Sequence, residues 1–206
     1  MLSHLSNKTV LITGASGYIG SFLVKKILSL NVFKIKLITR RKINLKRKNL
    51  EIIYLENIVQ YNDWVSIIKD VNYVFHLIGV SHYSKSLRGQ KDYFNNVNFL
   101  LTEKIVKASL ISKVEKIIFL SSIKVNGEYT NDKSFLSTDK PNPKDFYGTT
   151  KLKAENKIVE LCKKSNLKYT IIRSPLVYGP NIKGNFGLIL KAIQLGFPLP
   201  TLYLNM

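Results

Sequence analysis

Thr9 to Gly20 reads TVLITGASGYIG, a run of β-branched and apolar residues that breaks into three glycines and restarts with helical spacing. The pattern predicts a strand, a tight turn and a helix start. Gly14, Gly17 and Gly20 stand three apart, a G-x-x-G-x-x-G arrangement. Such a turn leaves backbone N–H groups unpaired at the strand end, and the helix adds the positive end of its dipole, so a pyrophosphate can sit on both. A side chain at the glycine positions would block that approach. Taken alone, the turn is also compatible with a strand-to-helix junction that holds no ligand.

Outward from the turn, Ile19, Phe22, Leu23, Ile27 and Leu30 recur at helical spacing with Lys25 and Lys26 opposite, an amphipathic helix over Tyr18 to Leu30. Lys34 to Thr39, KIKLIT, reads as a second strand ending at Arg40 and Arg41. An acidic residue about 20 positions beyond the glycines would hydrogen-bond the adenosine ribose, whereas an arginine can pair with a 2′-phosphate. Arg40 occupies that place, which favours NADP over NAD; a solvated basic loop from Arg40 to Lys48 is the alternative. Leu50 to Leu55 supplies a third strand, and Glu56, Asn57 and Ile58 lead into a helix carrying a core Trp64 with Val65, Ile67 and Ile68. Asn72 to Ile78 is nearly continuously apolar, as in a strand buried on both faces, and its His76 reads as a satisfied strand-end residue rather than a ligand. The polar stretch Val80 to Gln90, with His82, Tyr83, Lys85 and Arg88, is a loop outside a strand's carboxyl end, where ligand crevices lie. Asp92 to Ile111 is a long helix burying Val97, Leu101, Ile105, Val106 and Leu110, with Asn98 near that face, and Lys116 to Leu120 is a further strand. This alternation argues an α/β fold with a doubly wound parallel sheet.

The 206 residues, 45% of them hydrophobic, suffice for one α/β domain with a large core. One cysteine, Cys162, offers neither a disulfide framework nor a metal cluster, which fits a structural thiol in a reducing cytoplasm. No apolar run approaches the roughly 18 to 20 residues that span a bilayer, so no membrane insertion is expected. The net charge of +19 would attract nucleic acid or anionic surfaces. The lysines, however, are scattered over helices and loops beside abundant asparagine and isoleucine, the mark of an AT-rich genome, and no nucleic-acid module is visible. No specific nucleic-acid partner is expected, although a basic nucleic-acid-binding protein remains a rival reading.

Ser121 and Ser122 end the strand at Lys116 to Leu120, and Tyr147 and Lys151 follow on one helix face at i,i+4 spacing. An ammonium beside the phenol would favour phenolate and lower its pKa from about 10. A phenol so tuned can move the proton of a sugar hydroxyl or ketone while a nicotinamide exchanges hydride, with Ser122 hydrogen-bonding the same oxygen.

GASGYIG at 14–20, HLIG at 76–79, Asn98, SSIKVNGE at 121–128, YGTTK at 147–151 and RSPLVYGP at 173–180 together resemble the extended short-chain dehydrogenase/reductase superfamily, in particular its NAD-dependent epimerase/dehydratase group. The resemblance implies a Rossmann-type domain with Tyr147 as acid/base, Lys151 as the pKa-lowering and ribose-binding residue, Ser122 as their hydrogen-bonding partner and Asn98 as active-site support. It implies cofactor contacts from Ser16, Gly17, Tyr18 and Ile19 in the turn, from Asn57 and Ile58 near the adenine, from Leu77, Ile78 and Gly79, and from Pro175 on the nicotinamide side. SSIKVNGE and the tail from Arg173, with GFPLP, look most like bacterial polysaccharide enzymes of the UDP-glucose 4-epimerase or UDP-4-keto-hexosamine reductase kind. That likeness implies a UDP-linked sugar, with Asn185 at its diphosphate, assisted by Lys183, and no metal. Residues 1–180 are then the NAD(P)-binding domain, and 181–206 begin a substrate-binding region that family members complete with a longer chain. A cofactor-binding fragment or sensor without turnover is accordingly the rival of a 4-epimerase or 4-ketoreductase. The resemblance also suggests a homodimer through the helices at Asp92 to Ile111 and Asp145 to Lys164.

Overall fold

The computed structural model describes residues 6–30, 32–81, 90–130, 133–180, 182 and 185–197. In chain order the elements are β1 (Thr9–Thr13), α1 (Tyr18–Leu28), β2 (Lys34–Thr39), β3 (Leu50–Tyr54), α2 (Trp64–Ile68), β4 (Tyr73–His76), α3 (Gln90–Phe94), α4 (Leu101–Ile111), β5 (Lys116–Ser122), α5 (Phe146–Cys162), β6 (Lys168–Ser174) and α6 (Asn185–Gln194). A π-helical turn, Asn95–Leu100, joins α3 to α4, and a 3₁₀ turn, Ile123–Val125, follows β5. Two compact units divide the chain, Met1–Pro175 and Leu176–Met206. The second contains α6 and a contact between the Tyr178 and Phe186 rings, 5.9 Å between centroids.

The six strands form one parallel sheet in the order β3-β2-β1-β4-β5-β6, the doubly wound order of a Rossmann fold, whose direction of winding reverses between β1 and β4. Side chains alternate across it with a period of two. Val10, Ile12, Ile35 and Leu37 face α1, where Val24 and Ile27 close one core. Leu11, Ile38, Val74, Ile117 and Phe119 face the other way, against Trp64 and Ile68 of α2, Leu101 and Ile105 of α4, and Ala154 and Ile158 of α5. Both faces are covered, which is why the central strands read as apolar runs.

Departures from the sequence reading have local causes. Helix α2 does not begin at Glu56; residues 56–60 form a turn, and the helix waits for Asp63, whose side chain accepts the Ser66 N–H as a cap. Phe22, placed on the buried face of α1, is 42% exposed and stacks edge-on against Tyr18. Strand β6 escaped the reading because it is an edge strand, exposed or half-buried throughout, and so lacks the apolar run of its neighbours. No helix among the described residues is long and apolar enough to cross a membrane. His82, Tyr83, Lys85, Arg88 and Lys183 lie outside the described residues, as does the side chain of Asn185.

Lys36 shows how strictly the sheet is covered. It sits in the middle of β2 on the α2 side, 8% exposed, and its ammonium donates to the carbonyls of Ile67 and Lys69, both at 3.0 Å. A lysine in a buried strand thus caps the carboxyl end of α2, while burial pulls its pKa down. Lys36→Met keeps the stem and strands those carbonyls, and is expected to cost about 1–3 kcal/mol in urea unfolding; an unchanged unfolding midpoint would show that the cap contributes nothing.

Candidate functional site

The carboxyl ends of β1, β2, β4 and β5 bring most of the singled-out residues to one edge of the sheet. At the end of β1, Gly14 adopts φ +74°, a conformation that an L side chain resists. The Gly17 N–H donates back to the Gly14 carbonyl at 2.9 Å, closing the turn. A Cβ on Gly20 would stand 2.1 Å from the Gly14 oxygen, and one on Gly14 would stand 3.1 Å from the Ile78 nitrogen. These two glycines are therefore demanded by the chain's own backbone contacts. Gly17, exposed at the N-cap of α1, is also confined, since a Cβ there would stand 3.1 Å from the Gly14 oxygen. No side chain caps α1 there and its first turn holds no acid, so its leading N–H groups point outward as an anion cradle. Tyr18 and Ile19, half-buried, open that helix, and the buried atom Tyr18 Oη has no hydrogen-bond partner. An open N-terminus free of side chains fits a dinucleotide's diphosphate.

The end of β2 is tied to this turn. Thr39 Oγ1 lies 2.9 Å from Ser16 Oγ and accepts the Arg41 N–H at 3.1 Å. Arg40 is exposed, and its Nη1 donates to the Tyr93 hydroxyl on α3 at 3.1 Å. Asn57 is exposed and its Oδ1 accepts the Gln60 N–H at 3.4 Å, whereas Ile58 sends its side chain into the core, leaving only backbone for a ligand.

Beneath the strand ends runs a chain of buried hydroxyls and imidazole. Thr102 Oγ1 donates to the Asn98 carbonyl at 2.8 Å and lies 2.9 Å from His76 Nε2; Thr13 Oγ1 lies 2.8 Å from His76 Nδ1 and accepts the Leu77 N–H at 3.3 Å. Since the Thr102 proton is spent on Asn98, His76 must carry its proton on Nε2 and accept from Thr13 on Nδ1. Complete burial, helped by the charge of Lys151, holds His76 neutral with a pKa near 3, in keeping with a satisfied strand-end histidine. Asn98, in the π-helical turn, accepts the Val80 N–H at 2.9 Å and donates to the Val80 carbonyl at 3.1 Å and to Thr150 Oγ1 at 3.0 Å. It pins the loop after β4 to α5. Gly79 leaves room there, since a Cβ would stand 3.5 Å from Asn98 Oδ1 and 3.6 Å from Lys151 Nζ.

Ser122, 8% exposed at the end of β5, accepts the Lys124 N–H at 3.2 Å, and a side-chain hydrogen bond joins it to Tyr147. The approach of the two elements depends on Gly148, where a Cβ would stand 2.6 Å from the Lys124 carbonyl oxygen, and on Asp145, which caps α5 through the Gly148 N–H at 2.5 Å. The D-x-x-G pattern before α5 was a readable signal for this cap. Lys151 is 2% exposed, with its ammonium 4.1 Å from the centre of the Phe119 ring. Burial draws its pKa down to about 7, opposed by Glu155. One expectation is overturned. Burial raises the Tyr147 phenol, Asp145 adds to the rise and only the Ser122 hydrogen bond opposes it; Lys151 faces Phe119 and Gly79 instead of lowering it. Pro175 is exposed at the end of the first unit.

The family model described as "NAD dependent epimerase/dehydratase family" matches residues 10–194. A UDP-glucose 4-epimerase of Vibrio cholerae is 33% identical over 195 residues, which cover 94% of this chain and 59% of that protein. Among solved structures, MoeE5 in complex with UDP-glucose and NAD aligns with a TM-score of 0.80 at 28% identity, over 93% of this chain and 62% of that one. A UDP-N-acetylglucosamine 4-epimerase from Methanobrevibacter ruminantium M1, in complex with UDP-N-acetylmuramic acid, gives 0.80 at 26% identity, over 93% and 64%. The chain thus spans between 59% and 64% of the length of these relatives.

The neutral imidazole carries a stability cost at acid pH. Its folded pKa lies below the unfolded value, so below about 6.5 the unfolded chain takes up a proton that the folded one refuses. Unfolding free energy should fall by about 1 kcal/mol or more between about pH 6.5 and pH 5 on this account alone. NMR should find the His76 imidazole neutral throughout that range, and a folded-state titration near 6.5 would contradict the hydroxyl–imidazole chain.

Proposed function

The chain belongs to the NAD dependent epimerase/dehydratase family, and on that premise we propose that it holds a nicotinamide dinucleotide across the carboxyl ends of β1, β2 and β4 and acts on a UDP-linked sugar as a 4-epimerase or 4-ketoreductase. The observation that carries the reading is the convergence on one sheet edge of an uncapped helix N-terminus at Gly17 with the hydrogen-bonded Ser122 and Tyr147 and the buried Lys151. The names of the relatives support the sugar class.

In this reading the N–H groups at the start of α1 hold the diphosphate, and Arg40, with Arg41, meets the adenosine ribose. An exposed guanidinium at the end of β2 favours a 2′-phosphate, hence NADP over NAD. The nicotinamide, when bound, supplies or accepts the hydride at sugar C4. Tyr147 moves the proton of the C4 oxygen and Ser122 hydrogen-bonds that oxygen. Lys151 holds the cofactor ribose, and the Ser122 hydrogen bond is what opposes the rise that burial imposes on Tyr147. Asn98 keeps Thr150, and so Lys151, in register with the loop after β4. Asn185 begins the sugar-nucleotide side. The domain division at about residue 180 and a dimer through α4 and α5 belong to the same reading.

A second reading is dinucleotide binding without turnover. Two experiments separate them. NADPH fluorescence titration should give saturable binding, tighter than NADH by about tenfold and reversed in preference by Arg40→Ala; no binding of either cofactor would sink both readings. On UDP-hexoses and their 4-keto forms, Tyr147→Phe should lower turnover by about 100-fold or more with the cofactor affinity kept; equal rates remove Tyr147 from the chemistry, and cofactor binding with no turnover in the parent chain favours the second reading.

A further inference from the structure

Glu155 lies one helical turn beyond Lys151 on the buried face of α5, and the two are 3% and 2% exposed. Two residues, one from each of two strands, hold its carboxylate. Ser121 Oγ donates to Oε1 from the end of β5. From β6, Arg173 Nε donates to both carboxylate oxygens at 3.1 Å and Nη2 to Oε2 at 2.8 Å. Arg173 is itself fixed, its Nη1 donating to Asn126 Oδ1 at 3.2 Å. Ser121 and Arg173 are direct partners across β5 and β6, so the carboxylate is pinned to the sheet immediately beside Ser122.

A buried ion pair is a poor device for stability alone, since apolar side chains of equal volume serve as well or better. Its position is informative instead. We propose that Glu155 is a positioning residue for Lys151: clamped by Ser121 and Arg173 one helical turn away, its carboxylate supplies the negative field that favours the Lys151 ammonium inside the sheet–helix interface.

The other groups facing Lys151 give it no such support. His76 on β4 is neutral, Phe119 on β5 offers a ring face, Asn98 and Gly79 offer an amide and a backbone, and Tyr147 on its own helix is an un-ionised phenol. Burial drives Lys151 towards its neutral form, and Glu155 is the group that opposes this. Arg173, bonded to the same carboxylate, moderates its field. Without Glu155, burial would push Lys151 further towards its neutral form and weaken its grip on a ribose hydroxyl as a charged donor.

The idea builds on the assignment of Lys151 to the cofactor side, but its test needs no cofactor. The full 206-residue chain is labelled at lysine Cε, and the Lys151 signal, identified by its loss in Lys151→Arg, is titrated by NMR in the parent, Glu155→Gln and Glu155→Asp. All are measured in trimethylamine N-oxide, which favours the folded state. Glu155→Gln should lower the Lys151 midpoint by about one pH unit or more, and Glu155→Asp, which keeps the charge, should restore most of it. A packing role predicts the reverse order, since glutamine keeps the size and aspartate does not; that order, or an unmoved midpoint in Glu155→Gln, overturns the proposal. Failure here leaves NADPH binding to be judged by its own titration, and absent NADPH binding leaves this result intact.

Discussion

The first turn of α1 lies so close to the end of β1 that a Cβ on Gly20 would stand 2.1 Å from the Gly14 carbonyl oxygen. This backbone approach aims the helix axis at the strand end, and the left-handed φ of Gly14 makes the bend that permits it. Ile78, at the end of the neighbouring strand, packs against Gly14 from the other side. The winding of the sheet reverses between β1 and β4, so the uncapped N-terminus of α1 stands at the switch point where ligands bind in folds of this order. All three glycines of the turn are confined by backbone, and the N-terminus of α1 beside them carries no side-chain cap.

Behind the crevice the structure trades apolar packing for satisfied polar groups. Thr13, His76, Thr102, Asn98 and Thr150 are all fully buried and joined by hydrogen bonds from β1 through β4 and the π-helical turn to α5. Each is affordable only because its neighbour completes it. Lys151, the next residue after Thr150, is buried beside this network, and burial draws its pKa down to about 7. An irregular helix is tolerated at Asn95–Leu100 because the side chain of Asn98 takes both backbone groups of Val80.

Much of this was legible in the residues. The glycine spacing, the apolar strands, the buried Trp64 and the neutral His76 follow from period and composition, since each depends on near neighbours in sequence or on simple burial. The fold class follows from the alternation of those elements. What escaped depends on pairs distant in sequence. The Glu155–Arg173 contact spans 18 residues and two elements, and the Asn98–Val80 hydrogen bonds from the π-helical turn also span 18 residues. The Tyr147–Lys151 spacing promised a lowered phenol pKa, yet i,i+4 proximity fixes only a shared helix face. Burial beside Ser122 and the Asp145 charge decide the sign instead, while Lys151 turns to Phe119. Ile58, which the resemblance placed near the adenine, turns its side chain to the core, so only its backbone is left to meet a ligand.

The central claim is that the open N-terminus of α1 and the ends of β2 and β4 hold one dinucleotide together. Backbone amide NMR during addition of NADPH tests it most directly. Gly14 to Ser21, Arg40 and Gly79 should shift along a single saturation curve, with the largest changes at the first N–H groups of α1. Shifts confined to exposed lysine-rich loops, or a glycine turn that stays silent while other regions saturate, would contradict the account.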